Sequence, residues 1–195
     1  MQPQAARRTL QTQLEALGLS DGKWLAAMAD LARLRSVAKN EVVIEAGQIP
    51  TYFYMVLAGT ARYYYLSPNG KEWNKAFFRE GQLIGSLSSY LKRQPCTYTI
   101  AAVEHCQLAA LPVSVFDDLS ETGQPLQGLL NRYIREIMLR NEEREALLLT
   151  CNSEARYRWL IEHQGWLVSR VAQYHLASYL GIEPASLSRI KRHVG

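Results

Sequence analysis

Polar and basic side chains are concentrated in the last helical stretch of this 195-residue sequence, ASLSRIKR at positions 185–192. Arginine can hold the O6/N7 edge of guanine with two hydrogen bonds, a serine hydroxyl can reach a base or a phosphate, and lysine suits phosphates. The stretch therefore predicts a recognition helix for the major groove of double-stranded DNA. Helical spacing gives its outward face as Ala185, Ser186, Ser188, Arg189, Lys191 and Arg192.

The residues before this helix supply the rest of a helix-turn-helix. Ala177 is small enough for two helices to touch, and Gly181, four residues later, can take the positive φ of a tight turn. Pro184 suits the first position of the second helix, whereas Glu183 is a poor side-chain cap. An ordinary helical hairpin within a bundle is the alternative. The predicted buried seam consists of Leu176, Leu180, Ile182, Leu187 and Ile190.

The distribution of charge fits the same assignment. The chain carries a net charge of +4, and after position 151 six basic residues stand against three acidic ones. A basic C-terminal segment fits a nucleic-acid partner, although a solvated helix face has the same composition.

Composition disfavours several other classes of protein. The first residues lack the apolar core of a signal peptide, and no window approaches the roughly 20 apolar residues that span a bilayer, so we expect a soluble, cytoplasmic protein without a membrane partner. Cys96, Cys106 and Cys151 have no metal-binding spacing, which argues against a disulfide framework, a zinc site or an iron–sulfur cluster. His105 alone cannot supply the clustered ligands of a barrel metalloenzyme. We therefore expect no metal, no cofactor and no catalytic residues.

The elements that precede the C-terminal helices change period along the chain. Residues 5 to about 36 have helical spacing and predict two short helices. From position 41 to about 111, short β-branched and aromatic runs alternate with glycines, which predicts a compact antiparallel barrel or roll. Asn69-Gly70 predicts a hairpin with a type I′ turn, in which both central residues have positive φ.

A long helix is predicted from about Pro125 to Thr150, after a short one near Val113 to Leu119. Leu129, Ile134 and Met138 broaden its mainly apolar stripe until it is too wide for one neighbour, so we expect the helix to pack on its own barrel and on a second copy of the chain. A helix that lies wholly on its own domain is the alternative. The stripe follows a repeat of about 3.5 residues at Leu126, Leu130, Tyr133, Ile137, Arg140, Arg144 and Leu147, and the predicted dimer contacts are Leu130, Tyr133, Ile137 and Arg144.

This order of elements resembles the Crp/Fnr family of bacterial transcription regulators over roughly Val37 to Val194. In the roll, the resemblance rests on VVIEAG, FYMVLAGTARYY, NGKE, FFREGQLIG and IAAVEHCQLAAL, which are similar to the family's cyclic-nucleotide-binding-type fold. In the C-terminal part, ARYRWL and LASYLGIEPASLSRIKR are similar to its DNA-binding half. The resemblance implies a homodimer on a palindromic site, with two recognition helices about one DNA turn, roughly 34 Å, apart.

The resemblance also implies an effector pocket, formed at Ile84, Gly85, Ser86, Leu87, Cys96 and Thr97. Family members that bind cyclic AMP use a G-E-L motif and an Arg-Ser/Thr pair, where this sequence has Gly85-Ser86-Leu87 and Cys96-Thr97. The glutamate for the ribose hydroxyl and the arginine for the phosphate are both replaced, so we expect cyclic AMP to bind poorly or not at all. The pocket would then sense an unknown effector or none.

Aromatic residues of the roll offer a further interpretation of that pocket. Tyrosines that point inward could line a neutral or aromatic ligand site, although alternation along strands favours half in the core and half on the surface. The residues concerned are Tyr63, Tyr64, Tyr65, Tyr90 and Tyr98.

We therefore expect an α+β fold in three parts. Residues 1–124 would form N-terminal helices and a cyclic-nucleotide-binding-like antiparallel jelly roll, or double-stranded β-helix, and residues 125–150 the dimerisation helix. Residues 151–195 would form a winged-helix-like helix-turn-helix domain without an evident wing, which predicts fewer phosphate contacts. Ala185 stands where family members usually carry glutamate, so base preference there is expected to be relaxed or moved.

Two alternatives remain open at this point. One is a small-molecule sensor whose C-terminal helices dock a protein partner, and the other is a cyclic-AMP-responsive regulator with an atypical pocket. Activation of transcription would require an RNA polymerase contact surface, for which the sequence carries no specific signature.

Overall fold

The computed structural model describes residues 2–117 and 124–194 and contains eight β-strands, seven of them in the glycine-punctuated part of the sequence. The strands are β1 (Arg33–Val37), β2 (Val42–Ile44), β3 (Tyr52–Ala58), β4 (Ala61–Leu66), β5 (Glu72–Phe78), β6 (Leu83–Ile84), β7 (Thr99–Ala102) and β8 (Cys106–Pro112). They form two four-stranded sheets with the orders β1-β8-β3-β6 and β2-β7-β4-β5. Their antiparallel pairing confirms the predicted roll.

Strand β3 lies at the centre of its sheet, between β8 and β6. Its five consecutive residues from Phe53 to Leu57 are all buried. A strand that pairs with a strand on each side and is covered on both faces has no face in contact with solvent. Its residues therefore do not alternate between apolar and polar. The largest side chains of the roll that are fully buried are Phe53, Met55, Phe78, Ile84, Ile100, Leu108 and Leu111.

Two helices precede the strands, α1 (Pro3–Ala16) and α2 (Gly22–Leu31). The helical prediction to position 36 is wrong beyond Leu31, because the following residues form β1. Leu34 pairs with Ala109 of β8. Pairing with a strand far along the chain overrides a local helical spacing, and local spacing contains no information about that strand.

The hairpin predicted at Asn69-Gly70 joins β4 and β5, but its turn is of another type. Gly70 has φ 81°, whereas Asn69 is not among the residues with positive φ. The N–H of Gly70 donates to the C=O of Ser67 at 2.9 Å, and Pro68 fixes a negative φ at the first corner. The pattern is a type I turn followed by a left-handed glycine. The type I′ prediction is therefore wrong.

The other helices follow β6, with β7 and β8 between the first and the second of them. They are α3 (Leu87–Lys92), α4 (Gln124–Thr150), α5 (Ser153–Gln164), α6 (Trp166–Arg170), α7 (Gln173–Leu180) and α8 (Pro184–Val194). The long helix is confirmed as α4. Residues 114–117 are helical, and the rest of the short helix predicted to Leu119 lies outside the described residues. Within the described ranges, no helix has the length and apolar character needed to cross a membrane.

The chain divides into two compact units. One consists of Met1–Tyr63 and Phe77–Glu136, and the other of Tyr64–Ala76 and Ile137–Gly195. The second unit thus contains the end of α4, helices α5 to α8 and the tip of the β4–β5 hairpin.

Candidate nucleic-acid interface and effector pocket

The two C-terminal helices meet as a helix-turn-helix within the second unit. Helix α7 ends at Leu180, and Gly181 takes φ 64° and ψ 38°, a left-handed cap. The N–H of Ile182 donates to the C=O of Ala177 at 2.9 Å, and Pro184 begins α8 as predicted. The predicted seam is confirmed, since at most 7% of each side chain is exposed at Leu176, Ala177, Leu180, Ile182 and Leu187. Ile190 is half-buried.

Helix α8 has a polar and basic outer face. Leu187 anchors it in the seam with no exposed surface. An N–H of the Arg189 guanidinium donates to the hydroxyl of Ser186 at 3.2 Å, which holds the arginine along the helix. Of the predicted DNA-contacting residues, the exposed ones are Ala185, Ser188, Arg189 and Arg192, and the half-buried ones are Ser186 and Lys191. Their contacts with DNA stay a prediction.

Gln173, at the start of α7, is a polar neighbour of this face that the sequence pattern does not reveal. Its side-chain N–H donates to the hydroxyl of Ser188. A glutamine amide in the first helix of such a motif can also reach a DNA phosphate. The contact joins two helices across a turn, so no local spacing rule could have found it.

The tip of the β4–β5 hairpin supports α7 inside the same unit. The hydroxyl of Ser178 donates to the C=O of Glu72 at 2.8 Å and accepts from the N–H of Asn74 at 2.9 Å. The side-chain amide of Asn74 donates to the C=O of His175 at 3.3 Å. The two bonds of Ser178 satisfy the main chain of β5 with a group from a helix, and all three bonds keep α7 beside the strand.

The protein's own tyrosines occupy the surroundings of Gly85 in the predicted effector pocket. The hydroxyl of Tyr63 donates to the C=O of Gly85 at 3.0 Å and accepts from its N–H at 2.6 Å. The hydroxyl of Tyr98 donates to the same C=O at 3.1 Å. The rings of Tyr63 and Tyr98 stack with centroids 5.0 Å apart, and Phe78 packs on Tyr63 at 4.3 Å. A β-carbon at position 85 would collide with the ring of Phe53, so glycine is required there.

The side chains that replace the family's charged groups are engaged within the roll. The hydroxyl of Ser86 caps α3 by accepting from the N–H of Ser89 at 3.3 Å. The thiol of Cys96 donates to the C=O of Tyr98 at 3.0 Å. Of the predicted pocket residues, Ile84, Gly85, Ser86 and Cys96 are buried, Leu87 is half-buried and Thr97 is exposed, and their role in binding an effector stays a prediction.

The tyrosines of the roll divide between core and surface, but not by alternation, because burial in β4 falls steadily from Tyr63 to Tyr65. Tyr63 and Tyr98 are buried, whereas Tyr64 and Tyr90 are half-buried and Tyr65 is exposed. Burial, followed by a hydrogen bond to Asp117 and the charge of that carboxylate, raises the pKa of Tyr90 to about 12. Tyr90 is therefore a neutral phenol at physiological pH.

The positions predicted as dimer contacts on α4 face partly toward the chain itself. Tyr133 is 6% exposed, and its ring meets Phe53 edge-on at 5.9 Å. Arg144 donates to the C=O of Tyr179 at 3.0 Å, and burial lowers its pKa from the ordinary value. Leu130 and Ile137 are half-buried, and the side chain of Leu126 lies outside the described residues. Dimerisation stays a prediction, and the exposed apolar residues of α4 are Met138, Leu139 and Leu149.

In the described ranges 2–117 and 124–194, no group of three or more His, Cys, Asp or Glu side chains is placed so that it could hold a metal ion. Cys96 and Cys106 are buried thiols outside any disulfide, and Cys151 is a half-buried one.

Comparison with known proteins identifies relatives of the chain. Residues 34–122 match the family model of the cyclic nucleotide-binding domain. Over 171 residues, or 82% of this chain, the sequence is 23% identical to the anaerobic regulatory protein of Aggregatibacter actinomycetemcomitans. The chain spans 66% of the length of that relative.

Two solved structures share the fold. FixK2 from Bradyrhizobium japonicum superposes with a TM-score of 0.73 at 20% identity, with 84% of each chain covered. A transcriptional regulator of the Crp/Fnr family from Eubacterium rectale superposes with a TM-score of 0.70 at 16% identity, covering 89% of this chain and 82% of the other. These likenesses confirm the α+β fold of roll, long helix and C-terminal helices.

Proposed function

From the match of residues 34–122 to the cyclic nucleotide-binding domain and the likeness to the anaerobic regulatory protein and to FixK2, we propose that the chain is a transcription regulator of the Crp/Fnr type that binds double-stranded DNA as a homodimer on a palindromic site. The observation that carries the proposal is the exposed basic face of α8, mounted on a buried helix-turn-helix seam. Such a helix can enter the major groove while the other helices of the motif meet the backbone.

Distinct roles follow for the residues of that face. Arg189 would read a guanine edge, and Ser186 and Ser188 would contact bases or phosphates. Lys191 and Arg192 would neutralise phosphates, and Gln173 would add a polar contact from α7. Ala185 has a methyl group in place of an acceptor, so its contribution to base preference is apolar contact with a thymine methyl group.

The homodimer is supported by the exposed apolar residues of α4. Met138 and Leu139 are 65% and 53% exposed in the single chain, on a helix whose other side is buried. Large apolar side chains exposed side by side on a long helix suit a self-complementary contact across a two-fold axis. We assign the dimer seam to this outer face, with Leu130 and Ile137 at its margins.

We propose further that the roll works without cyclic AMP. Tyr63 and Tyr98 already bond both main-chain groups of Gly85, and Ser86 already caps α3. A nucleotide phosphate at that helix would have to displace these contacts with neither the arginine nor the glutamate of the cyclic-AMP binders present. The match of residues 34–122 to the cyclic nucleotide-binding domain favours the alternative, a regulator that answers to a cyclic nucleotide through an atypical pocket.

Selection of duplexes from a random DNA pool tests both proposals. The purified protein is incubated with the pool at one fixed salt concentration, with and without cyclic AMP. Enrichment of the same palindrome under both conditions is the expected result. Enrichment only in the presence of cyclic AMP would overturn the proposal that the roll works without this nucleotide. No enrichment under either condition would overturn the proposed DNA binding and favour a protein partner for the C-terminal helices.

A further inference from the structure

Arg156, on the first turn of α5, connects the ends of two other helices within the second unit. Its Nε donates to the C=O of Cys151 at 3.0 Å, and its Nη2 donates to the C=O of Leu148 at 2.8 Å. Its Nη1 donates to the C=O of Leu180 at 3.0 Å and approaches that of Gly181 at 3.5 Å. One guanidinium thus contacts the end of α4 and the turn of the helix-turn-helix at the same time.

The carbonyl groups that Arg156 contacts lie at the C-terminal ends of helices, where a cation is most stabilising. The last C=O groups of a helix have no partner inside the helix, and they carry the negative end of the helix dipole. Leu148 lies in the last turn of α4, and Leu180 is the last residue of α7. A planar guanidinium offers five N–H donors in a fixed fork, whereas a lysine ammonium is a point charge on a flexible stem.

The turn glycine is fitted to the same guanidinium. Gly181 has positive φ, and a β-carbon there would lie 3.2 Å from Nη1 of Arg156 and 3.5 Å from Cδ2 of Leu148. The backbone of the turn therefore packs directly on the arginine and on the end of α4. Loss of the guanidinium would leave several carbonyls without their donor and a gap beneath the turn.

We propose that Arg156 is a positioning residue that fixes the helix-turn-helix to the end of α4 and thereby sets the half-site spacing that the protein accepts. The inference rests on the proposed function, in which two recognition helices project from a dimer of α4. A rigid junction at 148–156 keeps those helices at one separation, and that separation selects the distance between half-sites. A loose junction would let each helix find its half-site at several spacings.

The test measures the affinity of Arg156→Ala and Arg156→Lys for the selected palindrome and for duplexes with half-sites moved closer or farther by one and two base pairs. Arg158→Ala is the matched control, since Arg158 lies on the same helix, is exposed and bonds Glu154 at 2.8 Å. The salt dependence of each affinity is measured as well. Circular dichroism verifies that each variant is folded, and the lysine variant keeps the test valid should the alanine variant unfold.

The expected result is a flattened spacing profile. Arg156→Ala should lose about tenfold in affinity at the best spacing, from the loss of several charge-assisted hydrogen bonds, and should discriminate less against the other spacings. Arg156→Lys should fall between it and the wild type, and the slope of affinity against salt should stay unchanged. An unaltered spacing preference would overturn the proposal, as would a salt slope lower by about one, which marks a phosphate contact. A wild-type protein that selects no palindrome would instead contradict the proposed function, and the role in spacing with it.

Discussion

The guanidinium of Arg189 is the group best placed to read a base, because it is exposed and held beside Ser186 on the outer face of α8. Replacing Arg189 with Ala should remove about 1 to 3 kcal/mol of discrimination at one base pair. Competition with duplexes that differ at single positions measures this loss. Arg192→Ala is the control, and it should weaken binding to all sequences alike and lower the salt slope by about one. Unchanged base preferences in Arg189→Ala would contradict the assignment.

Inside the roll, the two tyrosine hydroxyls on Gly85 are not equivalent. Tyr63→Phe leaves the buried N–H of Gly85 without its acceptor and should destabilise the protein by about 1 to 3 kcal/mol. Tyr98→Phe should have a smaller effect, because the C=O of Gly85 keeps its bond from Tyr63. Urea denaturation of the two variants provides the comparison. Equal losses of stability, or a larger loss for Tyr98→Phe, would contradict the assignment of the Tyr63 hydroxyl as the acceptor for the N–H of Gly85.

Among the elements, those governed by local chemistry could be predicted from the sequence. Ala177, Gly181 and Pro184 each meet a steric demand of the helix-turn-helix at a fixed spacing, and the structure places all three as expected. Elements decided by distant partners could not be predicted. Leu34 joins a strand because β8 is available to pair with it, and Tyr63 on β4 bonds Gly85, which follows β6 in the other sheet.

Dependence on distant parts of the chain also explains which features of the candidate sites the sequence did not reveal. Cys96 is buried whereas its neighbour Thr97 is exposed, and the resemblance that assigned both to one pocket carries no information on burial. Arg156 and Gln173 act through carbonyl and hydroxyl groups on other helices. Such contacts leave no periodic pattern in the sequence.

The turn between α7 and α8 offers a test at the scale of these elements. Gly181→Ala combines a left-handed backbone at φ 64° with contact to Arg156, whereas Gly70→Ala has φ 81° and no heavy atom within 4 Å of the new β-carbon. The strain alone should destabilise the Gly70 variant by about 1 kcal/mol, and the Gly181 variant should lose more. Thermal unfolding gives both values. A Gly181 variant as stable as the Gly70 variant would mean that the turn is not packed on Arg156.

The whole molecule is expected to work as a dimer, and helix α4 allows this to be tested. Met138→Asp places carboxylates in the proposed two-fold seam, where like charges repel, and it should weaken the dimer by about tenfold or more. Sedimentation equilibrium measures the dissociation constant. Leu91→Asp is the control, because Leu91 has a similar exposure of 62% but lies on α3. A Met138 variant that dimerises as well as the control would place the interface elsewhere.

The proposed DNA binding by a dimer is tested most directly by comparing the affinities of the wild-type protein for two duplexes. One is its selected palindrome, and the other is the same duplex with one half-site scrambled. Both are measured at one fixed salt concentration and without any nucleotide. Binding to the palindrome that is at least about tenfold tighter than to the scrambled duplex is predicted, because two recognition helices then engage specific sites together. Equal affinities for the two duplexes in the absence of a nucleotide would contradict a dimeric DNA reader that works without cyclic AMP.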